Sequence, residues 1–294
     1  LTIRVGFLGP KATFTHLAVK AFFGDDVEQV LISTIPQCID AVADGDIDYA
    51  VVPTENALEG SVNLTFDYLI HERPLYIVGE IVSPIEQHFM VHPSRVEEWE
   101  NITRVYSHSH AIAQCHKFLH KMFKHATYDY ATSTGAAAQY VSEHPDELVA
   151  AIANGLAAKE YGLKIVKENI HDYHYNHTRF AILHKTTTLD YQSKYLVADK
   201  EKTTLMVTLP SDQSGALHQV LSAFTWRKLN LSKIESRPMK TGLGNYFFII
   251  DIDMMLDEVL IPGAIAELEA LGCSVKLLGS YEAYSIKQGS LNYK

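Results

Sequence analysis

Apolar residues along the first 185 positions follow two alternating rhythms. Short β-branched runs such as "IRVGFLG", "EQVLIS", "IDYAVVP", "LYIVGEIV", "QHFMVH", "RVYSH", "TYDYA", "VAAIA" and "RFAIL" have the length and composition of strands. Between several of them, "FTHLAVKAFF", "IPQCIDAVAD", "AIAQCHKFLHKMF" and "GAAAQYVSEH" place apolar residues at helical spacing. This alternation predicts an α/β domain over 1–185 with a mostly parallel sheet. Pro84 with the polar "SPIEQ" interrupts the series once, and "GLKIVKENIHDY" near 162–173 interrupts it again. A chain that leaves one lobe and later returns needs two such crossings. The expected arrangement is therefore clam-like, with one lobe from about 1–82 plus 165–185 and the other from 83–164. A ligand cleft is expected between them. A single nine-stranded sheet is the alternative.

The pattern then changes. Residues 186–202, "TTTLDYQSKYLVADKEK", are polar and irregular and read as a linker. From 203 to 281 the elements read strand "TTLMVTLP", helix "GALHQVLSAFTWRKL", strand "LSKIESRP", strand "YFFIIDID" after the Gly-rich turn "TGLGN", helix "IPGAIAELEALG" and strand "SVKLLGSY". That βαββαβ order is the ferredoxin-like split motif, and 282–294 are left as a tail.

Composition narrows the class. With 294 residues, 47% of them hydrophobic, the chain can build about two cores. It has no window of about 18 apolar residues, and its first residues read as a strand and not a leader, so a cytoplasmic protein is expected. Cys38, Cys115 and Cys273 show no CxxC spacing and fit reduced core thiols. A net charge of −10 without a Lys/Arg cluster argues against a nucleic-acid partner. An anionic small molecule would have to be held by local donors against the global field.

Several strand ends run into small or hydroxyl residues that open a helix: "FLGPKATFTH", "VVPTENALEGSV", "VYSHSHAIAQC" and "YATSTGAAA". Each offers free backbone N–H groups and side-chain oxygens suited to a carboxylate or phosphate, and each also reads as an ordinary capped turn. None has the spacing of a nucleotide-binding loop. Glu55 and Asn56 follow the buried strand "YAVVP" at its carboxyl end, where a general acid and a neutral substrate clamp would sit; a capped turn is the plain alternative. His171, His174 and His177 recur every third residue, His108 and His110 are two apart, and His116 and His120 are four apart. Without an HExxH pattern they read as structural or surface residues, so no metal is expected. Thr178 and Arg179 precede the buried "FAIL". An arginine there can fix a carboxylate and a threonine can donate to a departing oxygen, or the pair is a plain edge-strand Thr-Arg.

In this order, "GPKATFTH", "VVPTENALEGSVNLTFDYL", "VYSHSHAIAQC", "STGAAA" and "NHTRF", then "GALHQVLSAF" and "NLSKIESRP", resemble the prephenate dehydratases that carry a C-terminal ACT regulatory domain. The resemblance covers nearly the whole chain. Ala12 stands where the family usually has Gly, and "PTENA" replaces a commoner Pro-Ile-Glu-Asn-Ser. It implies a two-lobed, periplasmic-binding-protein-like catalytic domain plus a ferredoxin-like ACT domain. The implied activity is that of a carbon–oxygen lyase of phenylalanine biosynthesis, turning prephenate into phenylpyruvate by coupled loss of carbon dioxide and hydroxide. Aromatisation drives the step, so positioning and electrostatics suffice and no cofactor is expected.

By the same resemblance Thr178 donates to the leaving hydroxyl, Arg179 clamps a carboxylate, and Glu55 and Asn56 belong to the catalytic set. Thr13, Ser107, Gln114, Ser133, Thr134 and Phe180 would bind substrate. Gly215, Ala216, Leu217 and His218, with Asn230, Leu231, Glu235, Ser236, Arg237 and Pro238, would form a phenylalanine effector site. Such sites lie between subunits, so a homodimer or homotetramer is implied. No N-terminal chorismate mutase is expected ahead of the strand at Ile3. Two other readings stay open: a preference for arogenate, or a two-lobed amino-acid or anion binder without catalysis.

Overall fold

The computed structural model describes residues 2–210, 215–239 and 246–287. The expected turn at 241–245 and the end of the expected tail lie outside the described residues. The chain opens with β1 (Arg4–Leu8), α1 (Phe14–Phe23), β2 (Glu28–Ile32), α2 (Ile35–Asp44), β3 (Tyr49–Asn56), β4 (Gly60–Ser61), α3 (Asn63–His71) and β5 (Tyr76–Pro84). Threonines set the helix starts: Thr13 Oγ1 accepts the His16 N–H ahead of α1, and Thr34 Oγ1 accepts the Gln37 N–H ahead of α2. Gly45, at φ +86°, ends α2 in the left-handed region that glycine enters without steric cost. β1 lies between β2 and β3, parallel to both.

A second sheet follows. It is built from β6 (His88–Val91), a 3₁₀ stretch at Pro93–Asn101, β7 (Arg104–Ser107), α4 (Ser109–Gln114), α5 (His116–Met122), β8 (Thr127–Tyr130), α6 (Thr134–Glu143), β9 (Val149–Ala153), α7 (Gly155–Glu160) and β10 (Lys164–Lys167). Its strand order is β10-β6-β9-β7-β8. Every residue of the central β9, "VAAIA", is buried, and its alanines let α6 lie close against it. The chain then returns to the first sheet as β11 (His177–His184), antiparallel between β3 and β5. The return falls later than expected. Lys164, Ile165 and Lys167 pair with β6, so 165–167 belong to the second lobe, where Ile165 packs on its core.

The third unit has the expected βαββαβ order: β12 (Lys200–Thr208), α8 (Ala216–Thr225), β13 (Leu231–Pro238), β14 (Tyr246–Ile252), α9 (Leu260–Ala270) and β15 (Ser274–Ser285). Val220 and Phe224 of α8 and Ile261 and Leu268 of α9 share one core with Leu205 and Ile250 of the sheet. This sheet is not separate from the first. β15 runs on past its own domain and pairs in parallel with β5, Ala283 opposite Glu80 and Ser285 opposite Val82. The order β13-β14-β12-β15-β5-β11-β3-β1-β2 is continuous. At the join, Lys202 Nζ meets Glu80 Oε1 at 2.7 Å, both side chains buried.

Two expected boundaries therefore fall inside paired strands. β12 begins at Lys200, ahead of the expected linker end, and residues 282–286 are strand and core, not tail. The linker is a strap more than a tether. Leu189, Tyr191 and Leu196 pack on the first-lobe core, Tyr191 Oη donates to Phe23 O at 2.9 Å, and Ser193 Oγ donates to Phe22 O at 2.6 Å.

The two crossings between lobes lie side by side. Ile85 N donates to Asn176 O at 2.9 Å, and Ile170 N to Gln87 O at 2.9 Å. Two buried imidazoles complete the knot: His88 Nδ1 accepts the Asn169 N–H at 3.1 Å and His171 Nδ1 accepts the Gln87 N–H at 3.3 Å. Burial, helped by the neighbouring His171, pushes the His88 pKa down to about 4. The folded chain then keeps His88 neutral in a range where the unfolded chain, with an ordinary histidine near 6.5, takes up a proton. Stability accordingly falls as pH falls through that window. Unfolding by urea should show a loss of about 2–3 kcal/mol from His88 between pH 6.5 and 4.5, and His88→Gln should flatten the slope. An unchanged slope in that variant would show that His88 is not the group being titrated.

Candidate active site

The register of β3 against β11 sorts the candidate residues. Thr178 lies opposite Asn56 and Arg179 opposite Glu55, so the first pair shares one face of the sheet and the second pair the other. On the first face Asn56 Nδ2 donates to Thr178 Oγ1 at 2.9 Å. The amide cannot turn round, because Asn56 Oδ1 already accepts the Leu58 and Glu59 N–H groups at 3.0 and 3.2 Å. Thr178 Oγ1 is thus an acceptor from Asn56, which leaves its own proton to be donated into the space in front of it.

That space is a cavity of about 250 Å³ between the lobes. Thr13, Asn56 and Thr178 line it from the first lobe, and Gln114, Ser133 and Thr134 from the second, all six among the expected residues. Thr13 caps α1, and Ser133 caps α6 by accepting the Ala136 N–H at 3.0 Å, so two helix starts contribute to its wall. Glu59, Gln87, His108 and His110 also line it. Sequence reasoning weighed the histidines only as metal ligands and left the other two aside. Their place inside the "TENALEG", "SPIEQ" and "SHSHAIAQC" stretches was the available signal. A larger cavity, of about 650 Å³, lies under the strap between 187–192 and β15 and holds none of the expected site residues.

Four expected site residues stand elsewhere. Ser107 is fully buried, with Oγ donating to Ile152 O at 2.6 Å, so it braces the second sheet. Phe180 is a core residue at 1% exposure. Glu55 and Arg179 face the third unit: Lys233 Nζ lies 3.0 Å from Glu55 Oε2, and Arg179 Nη1 lies 3.7 Å from Glu55 Oε2 and 3.8 Å from Asp251 Oδ2. Neither reaches the cavity in this arrangement.

The expected effector residues divide in the same way along β13. Glu235 and Arg237 point to the first lobe. Ser61 Oγ donates to Glu235 Oε2 at 2.5 Å, and Arg237 binds the Asn63 side chain and Asp67. Burial raises the Glu235 pKa, but the bonds from Ser61, Lys233 and Arg237 outweigh it and hold the carboxyl below its ordinary value. Ser236 and Pro238 are exposed on the opposite face. Gly215 stands at φ +86° just ahead of α8, while Leu217 and His218 are exposed. Asn230 donates to Asp253 Oδ2 at 2.5 Å.

The family model described as prephenate dehydratase matches residues 5–188. A prephenate dehydratase of Bacillus subtilis is 61% identical over 285 residues, covering 97% of this chain and all of its own length. The chain belongs to the prephenate dehydratase family. Among solved structures, a prephenate dehydratase from Arthrobacter aurescens in complex with L-Phe superposes with a TM-score of 0.82 at 34% identity, covering 95% of this chain and 90% of its own. A structure described as a novel type of quorum-quenching acylase superposes equally well, TM-score 0.82, at 25% identity over 95% of this chain and 98% of its own. The fold alone therefore does not fix the chemistry; the site must.

For this prephenate dehydratase family member, the width of the cleft is set by backbone contact between lobes. Asn154 Nδ2 donates to Ala12 O at 3.0 Å, and a Cβ on Gly135 would stand 2.3 Å from Lys11 O. Gly135→Ala should therefore wedge α6 away from the loop before α1. The expected result is a fall in kcat/KM on prephenate of about 10- to 100-fold, with the fold retained by circular dichroism. Unchanged kcat/KM would show that this contact does not set the cleft.

Proposed function

We propose that the cleft converts prephenate to phenylpyruvate, carbon dioxide and water, with Thr178 as the donor to the departing hydroxyl. The observation that carries this is the fixed Asn56–Thr178 pair: a hydroxyl pinned as acceptor on one side has one proton left, and the cavity is where it can go. The bond from the ring to its carboxylate breaks, its electron pair enters the ring, and the hydroxyl at the far ring position leaves, taking up a proton to become water. The step is redox-neutral and yields an aromatic ring. The protein's part is to orient the substrate and favour the charge that gathers on the leaving oxygen.

Thr13, Ser133 and Thr134, at the two helix starts, and Gln114 act in this reading as donors to the substrate's carboxylates and carbonyl. Ser107 and Phe180 support the wall from behind. Glu55 and Arg179 position the strand pair from its other face. Residues 2–185 form the catalytic unit and 200–286 the regulatory unit, of the ACT kind. The L-Phe complex of the Arthrobacter relative supports phenylalanine as effector; in this reading it binds about α8 and β13 in a homodimer or larger assembly. A cytoplasmic location accords with a biosynthetic role.

Purified protein in EDTA is expected to turn prephenate into phenylpyruvate, and Thr178→Val to lower kcat by about 10²-fold or more with little change in thermal midpoint. A near-normal kcat in that variant removes Thr178 from the chemistry. Phenylalanine is expected to inhibit and to raise the thermal midpoint. On β13 Lys233 shares its face with the expected effector residues Glu235 and Arg237 and reaches Glu55 of the first lobe, so Lys233→Met should demand about tenfold more phenylalanine for half-inhibition. An unaltered dose response would place the coupling elsewhere. Deleting the regulatory unit is the poorer test, because it strips β15 from β5.

A further inference from the structure

The proposed substrate is a dianion, yet no lysine or arginine lines the cavity among the described residues. Arg179 and Lys233 are engaged on the opposite face of the sheet. The groups in the lining able to carry positive charge are two imidazoles, His108 and His110. Their surroundings differ. His108 sits at the junction of β7 and α4, and its Nδ1 accepts the His110 N–H at 3.4 Å. Burial lowers its pKa, and the neighbouring His110 lowers it further against the pull of Glu59. His110 is more open, and its Nδ1 lies 2.6 Å from Glu59 Oε1.

We infer that His110 anchors the side-chain carboxylate of the substrate, and that Glu59 holds that place while the cleft is empty. This rests on the reading of the cleft given above. Glu59 stands on the turn between β3 and β4, and His110 on α4 of the other lobe, so their contact spans the cleft. Gln114 Nε2 also approaches Glu59 Oε1, at 3.5 Å. The Glu59 backbone N–H is held by Asn56 Oδ1, the same amide that orients Thr178, so the place-holder is indexed to the leaving-group donor. A carboxylate already bound to this imidazole shows what chemistry the spot accepts. Both side chains are partly exposed, 57% for His110 and 42% for Glu59. Such pairs are weakly held and are readily exchanged for another carboxylate.

Chemistry selects which carboxylate this is. The ring carboxylate departs as carbon dioxide, so a cation bound to it would favour the reactant over the transition state and slow the step. The side-chain carboxylate persists in phenylpyruvate. Binding it at the mouth leaves the ring hydroxyl directed inward to the buried Thr178. The return of Glu59 to His110 then helps expel the product.

Steady-state kinetics on prephenate, with phenylpyruvate as product inhibitor, test this. His110→Gln should raise KM about tenfold with a much smaller change in kcat, and His110→Lys should restore it. Glu59→Gln should lower both KM and the phenylpyruvate inhibition constant about threefold, an effect lost when combined with His110→Gln. A wild-type KM in His110→Gln, no restoration by His110→Lys, or a raised KM in Glu59→Gln would each overturn the inference while leaving the proposed reaction standing. Absence of prephenate turnover by the unaltered protein would overturn both.

Discussion

The antiparallel pairing of β11 with β3 is the constraint on which the cleft depends. It brings residues 122 positions apart, Asn56 and Thr178, into a 2.9 Å hydrogen bond, and by strand alternation it turns their neighbours the other way. One face of this two-stranded ribbon is the wall of the cleft. The other is a landing for the third unit, through Lys233 and Asp251. A side chain on either face cannot shift far without moving the backbone that carries its neighbour on the other. The β-bulge between Arg179 and Phe180 lies immediately beside the pair, so the ribbon is regular through the two site residues and irregular just past them.

Around that ribbon, the lobes are held by contacts of different stiffness. Deep in the cleft they are backbone-limited: the Gly135 approach to Lys11 O leaves no room for a methyl group, and Asn154 reads the Ala12 carbonyl. Further out they are side-chain pairs, Lys20 with Glu160 at 2.9 Å and His110 with Glu59 at 2.6 Å. Exposed pairs contribute about 0–1 kcal/mol each, so they are more readily exchanged than the close-packed contacts. An enzyme that must admit a dianion and release a smaller anion is served by that gradient: the reacting end is pre-set and the mouth is adaptable.

Much of this was legible in the sequence. The alternation of β-branched and helical stretches led to an α/β domain, though its sheets are mixed and not mostly parallel, since β6 and β11 pair antiparallel with their neighbours. The interruptions at Pro84 and near 162–173 led to the two lobes, and the threonine and serine caps that line the cleft were visible as strand ends opening into helices. What was misplaced has a physical cause. Thr178 and Arg179 are consecutive in a strand, as are Glu55 and Asn56, and side chains of consecutive strand residues point to opposite faces. Phe180 shares the face of Thr178 but lies further along it, inside the first-lobe core. The two members of each pair could not line one cleft, and for Glu55 and Asn56 this was hidden because β3 runs on through Pro53 to Asn56 where the sequence reads as a strand end. A motif marks the neighbourhood of a site without saying which face each residue takes. The extension of β15 onto β5 was less readable. "EAYSI" has the look of a strand, but nothing local shows that its partner is 203 residues earlier.

That distant pairing alters how the third unit is coupled to the catalytic sheet. Because β15 prolongs the catalytic sheet, the unit is not a satellite on a flexible tether, and displacement of its strands is transmitted through a shared hydrogen-bonded frame. A second link runs through ion pairs, Arg237 to Asp67, Lys233 to Glu55 and Arg179 to Asp251, and a hydrogen bond from Ser61 to Glu235. Partly buried ion pairs of this kind add little net stability, since desolvation offsets most of the attraction, but they are exacting about position. A network that is nearly neutral in energy and strict in geometry can be re-registered by a modest stimulus. Its last member on the catalytic side, Glu55, is adjacent along β3 to the asparagine that orients Thr178. The path from β13 to Thr178 is therefore an ion pair, one peptide bond and the Asn56–Thr178 hydrogen bond.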